Sequence, residues 1–216
     1  MPAHGVCRLQ KMFISFDGID GAGKSTQISL LADWLRAGGK EVVTCRDPGS
    51  TPLGEKLRSL LLEHHDTPIH RRSEMLMYMA ARAQLVEEVI RPALAAGKCV
   101  ISDRYLLANI VYQAHAGGLA PDEVWQVGLV TVAGIMPSLT FVLDLPASTA
   151  AARFNRAPDR MESQGLKYME DVRQGFLLEA ARRPQEIVVI DATTAADVVH
   201  RNVVAAVEKK VLSTEY

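Results

Sequence analysis

The stretch FDGIDGAGKST, residues 16–26, constrains this chain more than any other. Within it, Gly18-Ile19-Asp20-Gly21-Ala22-Gly23-Lys24-Ser25 has the spacing G-x-x-x-x-G-K-[ST] of a phosphate-cradling loop. An apolar run, MFISF (12–16), precedes it and a helical pattern over 24–37 follows. That context turns a short motif into a statement about fold. A strand that feeds a glycine-rich turn and then a helix aims backbone N–H groups and the helix N-terminus at one phosphate chain. Residues 18–26, ending in Thr26, are therefore candidate nucleotide contacts. Lys24 is expected to reach the outer phosphates, and the Ser25 hydroxyl to hold Mg²⁺.

Four more runs resemble MFISF: EVVTC (41–45), CVISD (99–103), LTFVLDL (139–145) and EIVVI (186–190). Each is short, rich in β-branched residues and largely apolar instead of alternating, as suits strands buried on both faces of a parallel sheet. Helical patterns over 53–63, 71–96, 105–116, 121–134, 146–154, 166–183 and 195–212 alternate with them, and Gly38-Gly39 and Gly97 stop two helices ahead of strands. The alternation predicts an α/β fold, a five-stranded parallel sheet flanked by helices on both faces. Its 216 residues, 48% of them hydrophobic, suffice for one buried domain and are few for two. Residues 12–216 are expected to form that domain, with 1–11 a disordered leader.

Composition narrows the partners. A net charge of −1 supplies no field to draw nucleic acid or an anionic membrane. No run approaches the ~20 apolar residues of a membrane span, and the first residues lack the apolar stretch of a secretory signal. Cys7, Cys45 and Cys99 form no C-x-x-C pair, which predicts a reducing, cytoplasmic setting. The six histidines show no zinc-ligand spacing.

Ligands of parallel sheets bind beyond the carboxyl ends of the strands. Arg46, leaving the second strand ahead of the turn Asp47-Pro48-Gly49-Ser50, is a phosphate-binding candidate. Asp103, ending the third strand, sits where a carboxylate orients Mg²⁺, and Arg104 beside it can pair with a phosphate. If the next residues are helical, Tyr105, Asn109 and Tyr112 share a face that can read a flat polar ring. Tyr78 and Arg82, four apart in the long helical pattern, offer a ring to stack on and a planar donor. Arg153, Arg156 and Arg160 lie in RFNRAPDRMESQGLK (153–167), too polar and Pro-interrupted for a core helix. Beside a phosphate site, such a segment reads as a lid over about 153–166.

Together these residues resemble the thymidylate kinases, which phosphorylate dTMP with ATP. The resemblance spans about 12–212 and rests on FDGIDGAGKST, RDPGSTPLGEKLR, MLMYMAARAQL, IRPALAAGKCVISDRY and APDRMES. It implies that Asp20 lies near the acceptor's 3′-hydroxyl and that Arg46 and Arg104 hold its phosphate. Tyr78 stands where a phenylalanine stacks on thymine, Arg82 matches the arginine at its O4 edge, and Asn109, with Gln113 a turn on, the position reading its polar edge. Tyr112 matches a tyrosine that disfavours ribonucleotides. Lys24, Asp103, Arg104, Arg153 and Arg156 are the implied catalytic groups, with Ser25 and Asp103 serving Mg²⁺. Arg160 and Ala192, the latter within Asp191-Ala192-Thr193, are implied to border ATP. A homodimer is implied as well. The chain departs from the family pattern at Asp47 and Ser50, where Glu and Gly are frequent, at Tyr78, at Ala108 in place of a serine, and at Gly21, where some members carry an arginine.

Two other readings remain open at this level. A different nucleoside or nucleotide kinase would share the loop and the lid. A non-catalytic nucleotide switch would share the loop alone, but the guanine-reading N-K-x-D run is missing from the sequence.

Overall fold

The computed structural model describes residues 12–63, 68–153 and 160–210. The expected leader and residues 154–159 of the lid, Arg156 among them, therefore lie outside the described residues. Five parallel strands form one sheet in the order β2-β3-β1-β4-β5. They are β1 (Phe13–Asp17), β2 (Val42–Arg46), β3 (Cys99–Asp103), β4 (Leu139–Asp144) and β5 (Ile187–Asp191). All five predicted strands appear within one residue of their predicted bounds.

Successive residues of a strand face opposite sides of a sheet, and β1 shows the consequence. Phe13 joins Val100 in one core; Ile14 and Phe16 join Ile101, Phe141 and Leu143 in the other. The second core is closed by α1 (Lys24–Ala37), α8 (Leu166–Arg182) and α9 (Ala196–Lys210), through Leu31, Val172, Phe176 and Val203. The first is closed by α3 (Arg71–Leu85) and α6 (Pro121–Val132), through Met79, Leu85, Val124 and Val132. Ser15 on β1 and Thr140 on β4, both buried, pair their hydroxyls at 2.9 Å and leave no orphan there.

The long helix predicted over 71–96 is interrupted. After α3 the chain makes a π-helical turn, Val86–Ile90, and resumes as α4, Arg91–Ala95. Pro92 has no N–H, and its ring would press on the carbonyl four residues earlier, so a wider turn just ahead relieves the clash. A second π turn, Ile110–His115, follows the single turn α5 (Leu106–Asn109). The remaining helices described are α2 (Pro52–Leu62), capped by the Thr51 side chain accepting from Gly54 N at 2.9 Å, and the short α7 (Ala147–Ala151).

β1 lies between β3 and β4. The chain leaves it toward β2 on one side and, after β3, crosses to β4 on the other. The glycine-rich loop thus opens at the switch in strand order, where a crevice forms at the carboxyl edge of a parallel sheet.

Candidate active site

The loop takes its path because two glycines permit it. Gly18 has φ +127°, and a Cβ there would stand 2.6 Å from the Leu143 carbonyl oxygen. Gly21 has φ +82°, and its Cβ would stand 2.8 Å from the Ala150 carbonyl oxygen. The loop is therefore wedged against the end of β4 and the end of α7. α1 begins at Lys24, whose buried ammonium donates to the carbonyls of Gly18 (3.2 Å) and Ile19 (3.1 Å) and to Asp20 Oδ1 (3.1 Å). Ser25 and Thr26 lie exposed in the first turn.

Asp20 joins the loop to β3. Its Oδ1 also accepts from Arg104 Nη2 at 2.8 Å. Burial opposes its charge, but the Arg104 guanidinium and the Lys24 ammonium hold its carboxyl well below the usual carboxylate range. Arg104 sits at φ +67°, a left-handed conformation that is costly for a residue with a side chain. Arg104 N donates to Phe16 O (2.8 Å), and its own carbonyl accepts from the Ser102 hydroxyl (2.6 Å). Its side chain donates to Gly18 O (3.1 Å) and Tyr112 Oη (3.1 Å) and lies 4.9 Å over the Tyr112 ring. Burial works against the Arg104 charge, but Asp20 and the anions near it keep its pKa above the ordinary value.

Two more carboxylates end strands here. Asp17, wholly buried, has no partner for either oxygen among the described residues, and burial pushes its pKa up to about 7 despite Arg104 and Lys24. Asp103 aligns with Phe16 on β1 and Arg46 on β2, and its buried Oδ1 likewise has no partner among the described residues. Asp103 lines an open cleft with Ser25, Cys45, Arg46 and Ser50. A hydroxyl and an unpaired carboxylate oxygen on one wall are the hard donors Mg²⁺ selects, and Mg²⁺ takes few protein ligands when phosphates and water supply the rest. Among the described residues no cluster of three or more His, Cys, Asp or Glu offers a fuller metal site.

A separate cavity opens past Asp20 and Arg104. The structure brings Tyr78, Arg82, Asn109, Tyr112 and Gln113 onto its wall, whereas Tyr105, expected on the same face, is buried in the core and donates to the Ile135 carbonyl at 2.8 Å. Asp47, Pro48, Arg58, Leu62, Ala108 and Met161 complete it. Arg82, 1% exposed, is fixed by Nε to Asp47 Oδ2 (2.5 Å), Nη1 to Met79 Sδ (3.2 Å) and Nη2 to the Tyr105 carbonyl (3.3 Å). A guanidinium has five N–H donors, and among the described residues three of them are used, which leaves two to offer a ligand. Tyr112 is buried against Tyr168 and Phe176, and burial raises its phenol above the ordinary value.

Two expected residues have other partners. Arg46 turns away from the cavity and donates to Glu55 at 2.8 Å along the open cleft. Consecutive strand residues point to opposite sides, so the turn that carries Asp47 inward carries Arg46 outward. Arg58 of α2, which donates to Pro48 O at 3.0 Å, instead joins Arg82 and Arg104 on the cavity wall. Nothing in the spacing of RDPGSTPLGEKLR singles Arg58 out, because its position depends on how α2 folds back. Arg160 binds the Leu61 carbonyl (2.7 Å) and Glu74, away from the glycine-rich loop. Arg153 does reach the loop, donating to Gly21 O (3.1 Å) and to Ala192 O (3.4 Å).

An anion-binding loop at a sheet switch point, a carboxylate beside its first helical turn and a second cavity with basic walls define a P-loop phosphoryl-transfer enzyme. Residues 16–203 match the family model Thymidylate kinase, and the chain belongs to the thymidylate kinase family. It is 47% identical over 192 residues to the thymidylate kinase of Rhodopirellula baltica, covering 89% of this chain and 78% of that one. It is 41% identical over 195 residues to the thymidylate kinase of Kosmotoga olearia, covering 89% and 93%. The crystal structure of the thymidylate kinase from Ehrlichia chaffeensis superposes with a TM-score of 0.74 at 31% identity, over 91% of this chain and 98% of that one.

Proposed function

We propose that this chain transfers the γ-phosphoryl group of ATP to dTMP, giving dTDP and ADP. The observation that carries the reading is the cavity next to the phosphate loop, with cations near the loop and aromatic and amide groups at its other walls. An acceptor lying between them presents its phosphate to Arg104 and Arg58 and its base to Tyr78, Arg82 and the Asn109–Gln113 pair.

The acceptor oxygen belongs to a phosphate with a second pKa of ~6, so it is anionic near neutrality and needs no general base. It forms the new bond to the γ-phosphorus as the bond to the β,γ-bridging oxygen breaks, and that oxygen leaves on ADP. The protein's task is to bring two anions together and stabilise the charge in flight. Lys24, Arg104 and Arg153 are the cations that contact the loop, and Arg153 and Arg156 are proposed to turn to the transferred phosphoryl group when the lid closes. Asp20 keeps Lys24 and Arg104 side by side. Ser25 and Asp103 would hold Mg²⁺, which neutralises phosphate charge when bound. The rigid wall made by Tyr112 beside Arg104 leaves little room for a 2′-hydroxyl.

A homodimer is part of this reading. Leu129 and Val130 on α6 are exposed large apolar residues, as is Leu76 on α3, which packs beside α6. A cytoplasmic location is proposed from the cysteine usage; among the described residues no helix is long and apolar enough to cross a membrane. The test is ADP release with ATP and each of dTMP, dUMP, dCMP, AMP and thymidine. The reading requires dTMP to be the best acceptor, and preference for thymidine or AMP would overturn it.

A further inference from the structure

Behind the cavity lies a chain of buried polar groups whose hydrogen-bond direction is set from one end. Glu74 of α3 is fully buried and faces two guanidinium groups, Arg71 Nη1 at 3.1 Å from Oε1 and Arg160 Nη2 on Oε2. Between two such donors its carboxylate acts only as an acceptor. Gln113 Nε2 donates to Glu74 Oε1 at 3.1 Å, which turns Gln113 Oε1 toward Asn109. Asn109 Nδ2 donates to that oxygen at 2.8 Å. What remains is Asn109 Oδ1, a buried acceptor on a cavity-lining residue that has no partner among the described residues. Asn109 and Gln113 are 2% and 1% exposed, so water does not freely compensate.

We propose that Glu74, through Gln113, fixes Asn109 as an acceptor toward the cavity and thereby makes the site demand a base that donates a ring N–H. Thymine and uracil carry that donor at N3, between two carbonyls. Cytosine presents a bare N3 acceptor there, opposite another acceptor. Glu74 is thus a positioning residue for base specificity, and Arg160, within the expected lid segment, helps hold it. This inference rests on the dTMP reading above and adds to it a group that touches no substrate.

The test is the ratio of kcat/KM for dTMP to that for dCMP at saturating ATP, with dUMP as a control. In Glu74→Gln, an amide replaces the acceptor-only carboxylate, so either direction of the chain is allowed. The dTMP:dCMP ratio should fall about tenfold, one hydrogen bond's worth, through KM and not kcat. The dTMP:dUMP ratio should not move, because both bases carry the N3 donor. In an Asn109→Ala background the added Glu74→Gln change should have no further effect on the ratio. An unchanged dTMP:dCMP ratio in Glu74→Gln, or the same fall with and without Asn109, overturns the relay. Should Glu74→Gln not fold, Gln113→Leu breaks the chain while leaving both arginine pairs of Glu74 in place. It should give the same loss of ratio, and a preserved ratio overturns the proposal. A wild-type enzyme that does not prefer dTMP to dCMP refutes the functional reading itself; a preference untouched by these variants refutes only the relay.

Discussion

Asp17→Asn isolates the cost of a carboxylate buried at the end of the central strand. Asp17 is 0% exposed, neither oxygen has a partner among the described residues, and its neighbours by charge are Arg104, Lys24, Asp103 and Arg82. Burial outweighs the cations and raises its pKa from 3.8 to about 7. A raised carboxyl pKa means the native state binds the extra proton between those two values. Its contribution to stability is therefore fully present below about pH 4 and is lost as pH rises to about 7. At ~1.4 kcal/mol per pH unit across that window, wild type should lose roughly 2–3 kcal/mol between pH 5 and pH 8 on account of this residue. That corresponds to roughly 5–10 °C in Tm for a chain of this size. Asn has nearly the same shape and cannot ionise, so Asp17→Asn should escape the loss. Urea or thermal unfolding of both proteins at pH 5 and pH 8 gives the answer, because groups common to the two cancel in the difference. The amide adds donors of its own, which shifts the variant by a constant and leaves the pH dependence intact. Parallel stability curves for the two proteins would refute the reasoning and mean that Asp17 is ionised in the fold at pH 5.

Other substitutions probe separate parts of the site. Asp103→Asn keeps the packing but weakens the hard-donor wall beside Ser25, so turnover should fall by roughly 100-fold while calorimetry still detects nucleotide binding. Retained turnover would remove Asp103 from the chemistry. Arg153→Ala removes the bonds to Gly21 O and Ala192 O; kcat should drop ~10-fold with the KM for dTMP little changed, and steady-state kinetics with both substrates varied will separate the two. Gly18→Ala places a methyl 2.6 Å from the Leu143 carbonyl at φ +127°. It should cost roughly 1–3 kcal/mol from backbone strain alone, readable as a lower Tm, and a variant as stable as wild type would mean that the loop can move off β4.

Much of this protein is legible in the order of its amino acids. The β-branched runs mark five strands, of which the inner β1, β3 and β4 are buried nearly throughout while the edge strands β2 and β5 are part-exposed, and the glycine-rich loop marks where the sheet is expected to meet phosphate. Tyr78 and Arg82, or Asn109 and Gln113, share a wall because helical spacing puts residues four apart on one face. These are local rules, and the sequence carries them in full.

Contacts between elements follow different rules. That Arg46 faces Glu55 while its neighbour Asp47 clamps Arg82 depends on the turn after β2, and one step along a strand reverses the side a residue faces. Arg58 reaches the cavity only because α2 folds back over it, and Arg160 finds Glu74, 86 residues away along the chain, where a phosphate contact was expected. Spacing along the chain says which groups can act together within one element. Which cation meets which carboxylate across elements is decided by packing, because a buried charge takes the nearest partner that offsets its lost hydration.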